Sequence, residues 1–223
     1  MKDIVRIAKD ELAGLDLTEK GEHLKTGDIR RLSAELYRGL EDKSKDKVFA
    51  ICEALLEELI WPLKVIAFDF AYRVRKQYDE NTFFIFESWL AKYVRGWGDC
   101  DDFCTHAFGE LIVQNTELAK KTIAWTERDE FWMRRAAAVV LIPSINRGKY
   151  KETDPIAVSD RLLCDSEELV LKGYGWMLKV LSVKEPQLVY NYLAINRETM
   201  PRVSFRYALE KMDKEKKTLL MRL

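Results

Sequence analysis

The sequence predicts an all-α protein, and three observations lead to this prediction. Apolar residues recur at helical spacing over most of the 223 residues, whereas strand-like alternation between turn residues is almost absent. Hydrophobic residues make up 48% of the chain and charged residues 33%. This composition supports a continuous core and excludes a chain that is disordered throughout. No stretch is rich in glycine and proline, so the helical pattern has no long interruption.

Twelve helices are predicted from the periodicity, and prolines and polar residues supply their boundaries. Four prolines fit first helical turns, where the missing N–H costs nothing: Pro62, Pro155, Pro186 and Pro201. Six polar residues are expected as N-caps: Asp28, Asp99, Thr116, Asp129, Ser166 and Thr199. The predicted helices cover residues 2–13, 28–41, 45–58, 61–77, 80–94, 100–114, 116–126, 129–142, 154–163, 166–182, 186–195 and 200–212.

Helices of this length with short connections favour stacked helical hairpins. The apparent inner helices are centred near residues 67, 108, 137, 174 and 207, at spacings of 29 to 41 residues that bracket the HEAT-like period. We therefore expect one domain over residues 1–223, a HEAT-like α-solenoid of stacked antiparallel helix pairs with a concave groove. A compact helical bundle is the alternative.

The longest apolar run and the N-terminus bear on location. Residues 136–143 form the longest apolar run, far short of the roughly 20 residues that span a bilayer. The N-terminus has no apolar signal region. We expect a cytoplasmic protein without a membrane partner.

The net charge is zero, but the charges are unevenly distributed. Residues 1–130 carry 20 Lys and Arg against 26 Asp and Glu, whereas residues 131–223 carry 17 against 11. The C-terminal half is therefore basic enough to meet phosphates, although solvated helix faces explain the same distribution.

Four cysteines, Cys52, Cys100, Cys104 and Cys164, are interpreted as reduced thiols because no targeting segment accompanies them. Cys100 and Cys104 with His106 nearby offer three zinc ligands, but no second pair completes a four-ligand set. A zinc-binding helical protein is thus a minor alternative, and no metal is expected.

Residues 95–104 form the most unusual segment of the chain. A buried stripe at helical spacing begins at Cys100 and includes Phe103 and Cys104. Asp101 lies beside this stripe in the first turn, where the helix dipole favours an ionised carboxylate, and Trp97 precedes it by four residues. The segment fits a catalytic carboxylate, and it also fits an ordinary first-turn acid beside a packing tryptophan.

Two glycines interrupt the helical pattern of residues 171–179. Each interior glycine costs about 1 kcal/mol relative to alanine, so Gly173 and Gly175 indicate that something approaches the backbone closely. Lys172, Trp176 and Lys179 share one helix face, which suits a nucleic-acid backbone and base. The same face suits a packed tryptophan between two solvated lysines equally well.

Other basic residues fall on predicted inner helices, namely Arg134 and Arg135 after Trp132, and the pair Arg202 and Arg206. Singly, each fits a solvated helix face. Together they are candidates for a track of phosphate contacts along a concave surface.

Three motifs in order resemble the AlkD-type HEAT-repeat DNA alkylation repair glycosylases. Residues 97–104 resemble the family's W-x-x-C-D-x-x-C segment, residues 131–137 resemble its W-x-x-R-A-A helix, and residues 172–178 resemble K-A-x-G-W-x-L with Gly173 in place of alanine. The final residues 196–212 are similar to the family's terminal repeat. The order of these motifs and their separation along the chain agree with the family over residues 45–212.

The resemblance implies hydrolysis of the N-glycosidic bond of cationic N3- or N7-alkylated purines in double-stranded DNA. Asp101 takes the catalytic position by match, Trp97 and Trp176 pack on the lesion or its sugar, and Arg135 holds a phosphate. Lys172, Lys179, Arg202 and Arg206 are the further candidates for phosphate contacts. The resemblance also implies no cofactor and no metal. A monomer is expected, although the sequence leaves the oligomeric state open.

Two features depart from the family. Residues 15–27 are polar and have no aromatic residue, whereas the family carries an aromatic, DNA-gripping segment there. The zero net charge predicts weak, salt-sensitive DNA affinity. A HEAT-repeat module that binds DNA or protein without catalysis is therefore the alternative function.

Overall fold

The computed structural model describes residues 2–16 and 24–222, and within these ranges the regular structure is entirely helical. The prediction of an all-α protein is confirmed. The polar segment 15–27 discussed above lies largely outside the described residues. The chain forms two compact units, one of Met1–Val94 with His106–Phe108 and one of Arg95–Thr105 with Gly109–Leu223. A single domain over residues 1–223 remains a prediction.

The N-terminal unit contains five α-helices and one short 3₁₀ helix among its described residues. They are α1 (Lys2–Asp16), α2 (Thr26–Arg38), α3 (Lys45–Leu56), α4 (Trp61–Arg73), the 3₁₀ helix Arg75–Gln77 and α5 (Glu80–Tyr93). Helix α4 packs against both α2 and α3. The carboxylate of Asp69 in α4 accepts hydrogen bonds from Ser33 of α2, at 2.5 Å, and from Arg73, at 2.7 Å, which joins the two helices.

An aromatic cluster fills the core of this unit. Phe49, Phe86 and Trp89 lie with ring centroids 5.1 to 5.5 Å apart, and Phe86 is 5.5 Å from Phe108. The indole N–H of Trp89 donates to Glu53 Oε1 at 3.1 Å, so its polar edge is satisfied.

The C-terminal unit contains the remaining helices of the described chain. They are α6 (Trp97–Thr105), α7 (Ala107–Gln114, whose first two residues count with the other unit), the 3₁₀ helix Thr116–Leu118, α8 (Ala119–Thr122), the 3₁₀ helix Ile123–Glu127, α9 (Phe131–Val139), α10 (Ile142–Asn146), α11 (Pro155–Leu162), α12 (Glu168–Lys184), α13 (Pro186–Ile195), α14 (Arg202–Leu209) and α15 (Lys214–Arg222).

Four of these helices pack in series. Helix α6 contacts α9, α9 contacts α12, and α12 contacts α14. The thiol of Cys100 in α6 donates to the carbonyl oxygen of Trp132 in α9 at 3.4 Å. This series places residues about 35 positions apart in the sequence beside one another, and it carries the candidate site.

Predicted and observed helices differ where hydroxyl groups or proline compete with the backbone. The predicted helix 100–114 is two helices, and the first begins earlier, at Trp97, and ends where the hydroxyl of Thr105 donates to the Asp101 carbonyl. The predicted helix 116–126 is mostly 3₁₀, because Thr122 and Thr126 donate to carbonyls three residues back. Pro143 cannot donate a backbone hydrogen bond, so α10 starts anew near it.

The helix termini also differ from the prediction. The side-chain N-caps observed among the described residues include Asp79, Asp154, Glu167 and Asp213, whereas Asp28 and Asp99 lie inside the first turns of α2 and α6. Helix α15 was not expected, because its sequence has a short apolar run, Leu219–Met221, after a basic stretch. Among the described residues, no helix combines the length and the apolar character that crossing a bilayer requires.

Gly109 provides a test of packing in the C-terminal unit. A Cβ atom at Gly109 would lie 2.3 Å from the carbonyl oxygen of Cys104 and 2.5 Å from Pro143 Cγ, whereas one at Gly98 would meet nothing within 4 Å. We expect Gly109→Ala to lower the free energy of unfolding by about 1–3 kcal/mol or more. Urea denaturation monitored by circular dichroism measures this change.

Gly98→Ala is the matched control, and it should leave stability unchanged or raise it. Equal stability of the two variants would show that α6 and Pro143 are not packed as described.

Candidate active site

Helix α6 presents Asp101 and Trp97 along one edge of its buried stripe. Cys100, Phe103 and Cys104 are fully buried, as the sequence predicts, so this face anchors the helix. Asp101 lies next to this face and is partly buried, and Trp97 in the first turn is 55% exposed. An indole exposed to this degree at a helix terminus contributes little to the core and is available to a ligand.

Asp101 is held by Arg135 of α9. The guanidinium donates from Nε to Oδ1 and from a terminal nitrogen to Oδ2 of Asp101, both at 2.7 Å. Its other terminal nitrogen donates to the carbonyl oxygen of Leu169 in α12. The side chains are only 7% and 19% exposed for Arg135 and Asp101, respectively, so the pair is well shielded from solvent. Three successive helices of the series thus fix one carboxylate.

The charge of Arg135 is stabilised by this arrangement. Burial of the guanidinium favours loss of its proton, but the hydrogen bonds and charge of Asp101 outweigh burial and raise the pKa of Arg135. Arg135 therefore remains a cation whose nitrogens are directed at protein oxygens. The phosphate contact predicted for Arg135 would require it to give up part of this pair.

Gly173 makes room for the pair. A Cβ atom at Gly173 would lie 3.0 Å from Arg135 Cγ and 3.2 Å from one of its terminal nitrogens. The bare backbone of α12 at this point lets the arginine lie flat against the helix and reach Leu169. The close approach inferred from the two glycines is therefore made, at Gly173, by the arginine that holds Asp101.

Gly175 serves a different contact. A Cβ atom there would lie 2.9 Å from Tyr207 Cβ and 3.0 Å from the carbonyl oxygen of Ser204, both in α14. The glycine thus allows α14 to approach α12 closely, and this approach carries Tyr207 to the same side as Trp176.

A cavity of about 480 Å³ opens over the Asp101–Arg135 pair. This volume falls in the range of roughly 300–1,000 Å³ that is typical of ligand sites. Its walls combine three aromatic side chains, one aliphatic residue and three charged groups: Trp97, Asp101, Arg135, Leu169, Lys172, Trp176 and Tyr207. A partly exposed carboxylate that shares a cavity with two indoles suits a flat, cationic ligand.

Lys172 lies at this cavity but has an acidic neighbour. Its ammonium group is 2.5 Å from Glu168 Oε1 on the same helix, and this hydrogen bond raises the pKa of Lys172. Because Glu168 is well exposed, the ion pair can exchange for a phosphate at little cost.

Three predicted phosphate ligands lie elsewhere in the C-terminal unit. Lys179 is not part of the cavity wall and pairs with Glu210, the residue after α14. Arg202 and Arg206 are exposed and line a different cavity. The structure thus brings together five of the eight predicted site residues: Trp97, Asp101, Arg135, Lys172 and Trp176.

The cysteines of α6 are poorly suited to bind zinc. Burial raises the pKa of the Cys104 thiol well above its usual range, and a metal ligand must be the thiolate. His106, the third candidate ligand, lies with Nδ1 3.2 Å from the guanidinium of Arg30. Within the described residues, no three His, Cys, Asp or Glu side chains are grouped to hold a metal ion.

Sequence reasoning missed Tyr207 and Leu169 as parts of the site. Tyr207 belongs to the stretch recognised as a terminal repeat, but its motif gave no reason to single out the tyrosine. Leu169 contributes a backbone carbonyl, which leaves no trace in the sequence. The second glycine, Gly175, was the available signal for Tyr207, because it marks where another helix crosses α12.

A family model described as DNA alkylation repair enzyme matches residues 23–212, which is most of the chain. The chain belongs to the DNA alkylation repair enzyme family. The resemblance inferred from the three motifs is thus confirmed, and the family's match includes every residue of the cavity. No curated protein matches the sequence significantly.

Solved structures support the helical fold. A predicted DNA alkylation repair enzyme from Enterococcus faecalis has a TM-score of 0.72 at 17% identity, covering 86% of this chain and 87% of that one. AlkD2 from Streptococcus mutans has a TM-score of 0.65 at 18% identity, with 92% and 99% covered. The smu.31 protein from Streptococcus mutans UA159 has a TM-score of 0.65 at 18% identity, and the match covers 95% of this chain and 98% of that one. At these identities the similarity concerns the fold alone.

We expect the effects of substitutions at Asp101 and Arg135 on the free energy of unfolding to be coupled. Asp101→Asn and Arg135→Met should each lower the free energy of unfolding, by about 2–4 kcal/mol for the arginine change, because each leaves a shielded polar group without its partner. The double variant should lose less free energy of unfolding than the two single variants lose together. A double-mutant cycle measured by urea denaturation should give a coupling energy of about 1–3 kcal/mol.

The matched control is the exposed pair of Arg161 and Glu127, whose Nη1 and Oε1 atoms lie 2.6 Å apart. A double-mutant cycle with Arg161→Met and Glu127→Gln should give a coupling energy of less than about 1 kcal/mol. Equal coupling in both cycles would argue against a preorganised pair at Asp101.

Proposed function

We propose that this family member is a DNA glycosylase that hydrolyses the N-glycosidic bond of cationic N3- or N7-alkylated purines. One observation carries the proposal, namely a carboxylate held at both oxygens by a buried arginine, at the base of a cavity walled by two tryptophans. The family assignment supports a DNA repair role and does not itself specify the reaction.

The chemistry requires little beyond a fixed negative charge. An alkylated purine already carries a positive charge, so when the bond to C1′ breaks its electrons neutralise the base, which leaves without a general acid. Positive charge then develops on the sugar, and water adds to C1′ and releases a proton. A carboxylate positioned beforehand stabilises this charge without reorganising during the reaction.

Arg135 acts in this proposal as a positioning residue. Its two hydrogen bonds fix the plane of the Asp101 carboxylate, and its contact with Leu169 ties that plane to α12. Asp101 retains its partial exposure toward the cavity and additional lone pairs on both oxygens. The carboxylate is therefore held rigidly and can still face a sugar.

Trp97 and Trp176 provide the apolar and π surfaces for the lesion. A cationic base or sugar over an indole face gains roughly 0.5–2 kcal/mol. Trp97 is the more exposed of the two and approaches from α6, whereas Trp176 approaches from α12. A cationic base or sugar in contact with these two indole rings would bind more favourably than a neutral base of the same shape.

Double-stranded DNA is the proposed partner, bound by a monomer. Lys172, Lys179, Arg202 and Arg206 remain proposed phosphate contacts, and Arg135 would join them only by exchanging part of its pair. The serial contact of α6, α9, α12 and α14 supports a HEAT-like stacking of helix pairs, with the DNA in a groove that their inner helices line.

The second candidate function is a module that binds DNA or protein without releasing a base. The observation in its favour is that both oxygens of Asp101 already accept hydrogen bonds from Arg135, which offsets part of the negative charge. Specific binding of methylated DNA by the folded protein, with no base release, would support this candidate over the first.

Base release provides the direct test. Wild-type protein should free N3- or N7-methylpurines from methylated duplex DNA, measured by mass spectrometry under single-turnover conditions. Asp101→Asn should slow release about 10²-fold or more, because the fixed charge is lost. Asp99→Asn, two residues away on α6 and outside the cavity wall, is the control and should stay within about threefold of wild type.

If Asp101→Asn released bases as fast as wild type, the proposed role of the carboxylate would be wrong. If the wild-type protein released none while folded and bound to the DNA, the glycosylase proposal itself would fail.

We expect the indole of Trp97 to contribute to selectivity for cationic lesions. Because the indole is half exposed, Trp97→Leu should cost little stability, yet it should slow the release of methylpurines about 2- to 30-fold. Binding of unmodified duplex should change less than twofold, measured by fluorescence anisotropy. Equal losses for modified and unmodified DNA would point to a general contact instead.

A further inference from the structure

The eight arginines from Arg128 to Arg206 in the C-terminal unit fall into two groups. Most pair with a carboxylate: Arg128 with Glu130, Arg134 with Asp165, Arg135 with Asp101, Arg147 with Glu110 and Arg161 with Glu127. Arg197, Arg202 and Arg206 form no ion pair with any residue that the structure describes. These three arginines line the same cavity, so the unpaired guanidinium groups are concentrated at one place.

This cavity has a volume of about 290 Å³ and is built from three segments of the chain. Arg197 lies in the turn after α13, Arg202 and Arg206 lie one helical turn apart on α14, and α15 closes the far side with Met221. Met200 and Phe205 are buried beneath the arginines. Among the described residues of its wall, none carries a carboxylate side chain.

The second cavity is separate from the one over Asp101. Arg206 and Tyr207 are consecutive on α14, so they point about 100° apart around the helix, and each lines a different cavity. A ligand at the three arginines would thus lie on another face of α14 from a lesion at Asp101. Binding there does not require base release.

Three guanidinium groups on one cavity wall, none in an ion pair with a described residue, favour an anion with more than one negative charge. Arginine binds phosphate oxygens through paired N–H donors, and a phosphomonoester carries about −1.5 to −2 charges at neutral pH, whereas a backbone phosphodiester carries one. Met221, which is 52% exposed on this wall, can contact a carbon group attached to that phosphate.

We propose that Arg197, Arg202 and Arg206 form a binding site for a terminal phosphate on an organic group, that is, for a nucleoside monophosphate unit. Such a unit is present in a free mononucleotide and at a 5′-phosphorylated DNA end. Its higher charge favours the terminal phosphate over the internal phosphates of a duplex, which remain weaker ligands for Arg202 and Arg206.

Calorimetric titration of the full chain tests the site in a phosphate-free buffer. The probes are adenosine 5′-monophosphate, inorganic phosphate, and an unmodified short duplex with 5′-phosphate or with 5′-hydroxyl ends. We expect wild type to bind the monophosphate, or to bind the 5′-phosphorylated duplex at least tenfold more tightly than its 5′-hydroxyl counterpart. Arg206→Gln should remove about tenfold or more of that affinity.

Arg161→Gln removes the same charge from an exposed, paired arginine and serves as the control, which should stay within twofold of wild type. A 5′-phosphate preference without mononucleotide binding identifies a DNA end as the ligand, and mononucleotide binding identifies a free nucleotide. Binding of inorganic phosphate alone would overturn the requirement for an organic group. The site itself would be refuted if the 5′-phosphate gave no preference and Arg206→Gln left the binding of every probe unchanged.

Discussion

The bidentate contact between Arg135 and Asp101 is the interaction on which the candidate site depends. A carboxylate on α6, a guanidinium on α9 and a backbone carbonyl on α12 meet at one point, and each of the three helices is anchored by its own buried face. A shielded charge pair of this kind adds little net stability compared with apolar packing, but losing either partner is costly. The pair is therefore better explained as a device that fixes the carboxylate than as a source of stability.

Several sequence features near this contact lower the stability of the helices that carry them, and the structure gives each a role. Two glycines within one turn weaken helix α12, but one admits the Arg135 side chain and the other admits α14 with Tyr207. Trp97 leaves more than half of its side chain exposed, which contributes little to folding. These exceptions to ordinary helical packing lie together, as expected where function and stability compete.

The sequence predicted the helices of the fold and most of the cavity, because both depend on local pattern and motif. Apolar spacing predicted the buried faces of α6 and α12, and the motifs singled out Asp101, Arg135 and Trp176, which line one cavity. The breaks near Thr105 and Pro143 were missed, since periodicity continues through them. The ion pairs were also missed, because residues about 35 positions apart meet only after helices have packed.

Charge counts were an incomplete guide for the same reason. The basic excess of the C-terminal half suggested one continuous track, but many of its cations are neutralised by neighbouring carboxylates. Arg135 is held in a tight pair with Asp101, whereas Arg197, Arg202 and Arg206, on α14 and in the turn before it, form no ion pair with a described residue. Pairing, and not number, decides which cations are available to an external phosphate.

Arg135→Lys tests the central claim most directly, since lysine keeps the positive charge but cannot hold both carboxylate oxygens in one plane. The measurement is the single-turnover rate of methylpurine release at saturating protein, with stability and DNA affinity determined for the same variant. If orientation of Asp101 is what the pair supplies, release should slow at least tenfold while the folded variant binds methylated duplex as wild type does. Release at the wild-type rate would contradict the account, because charge alone would then suffice.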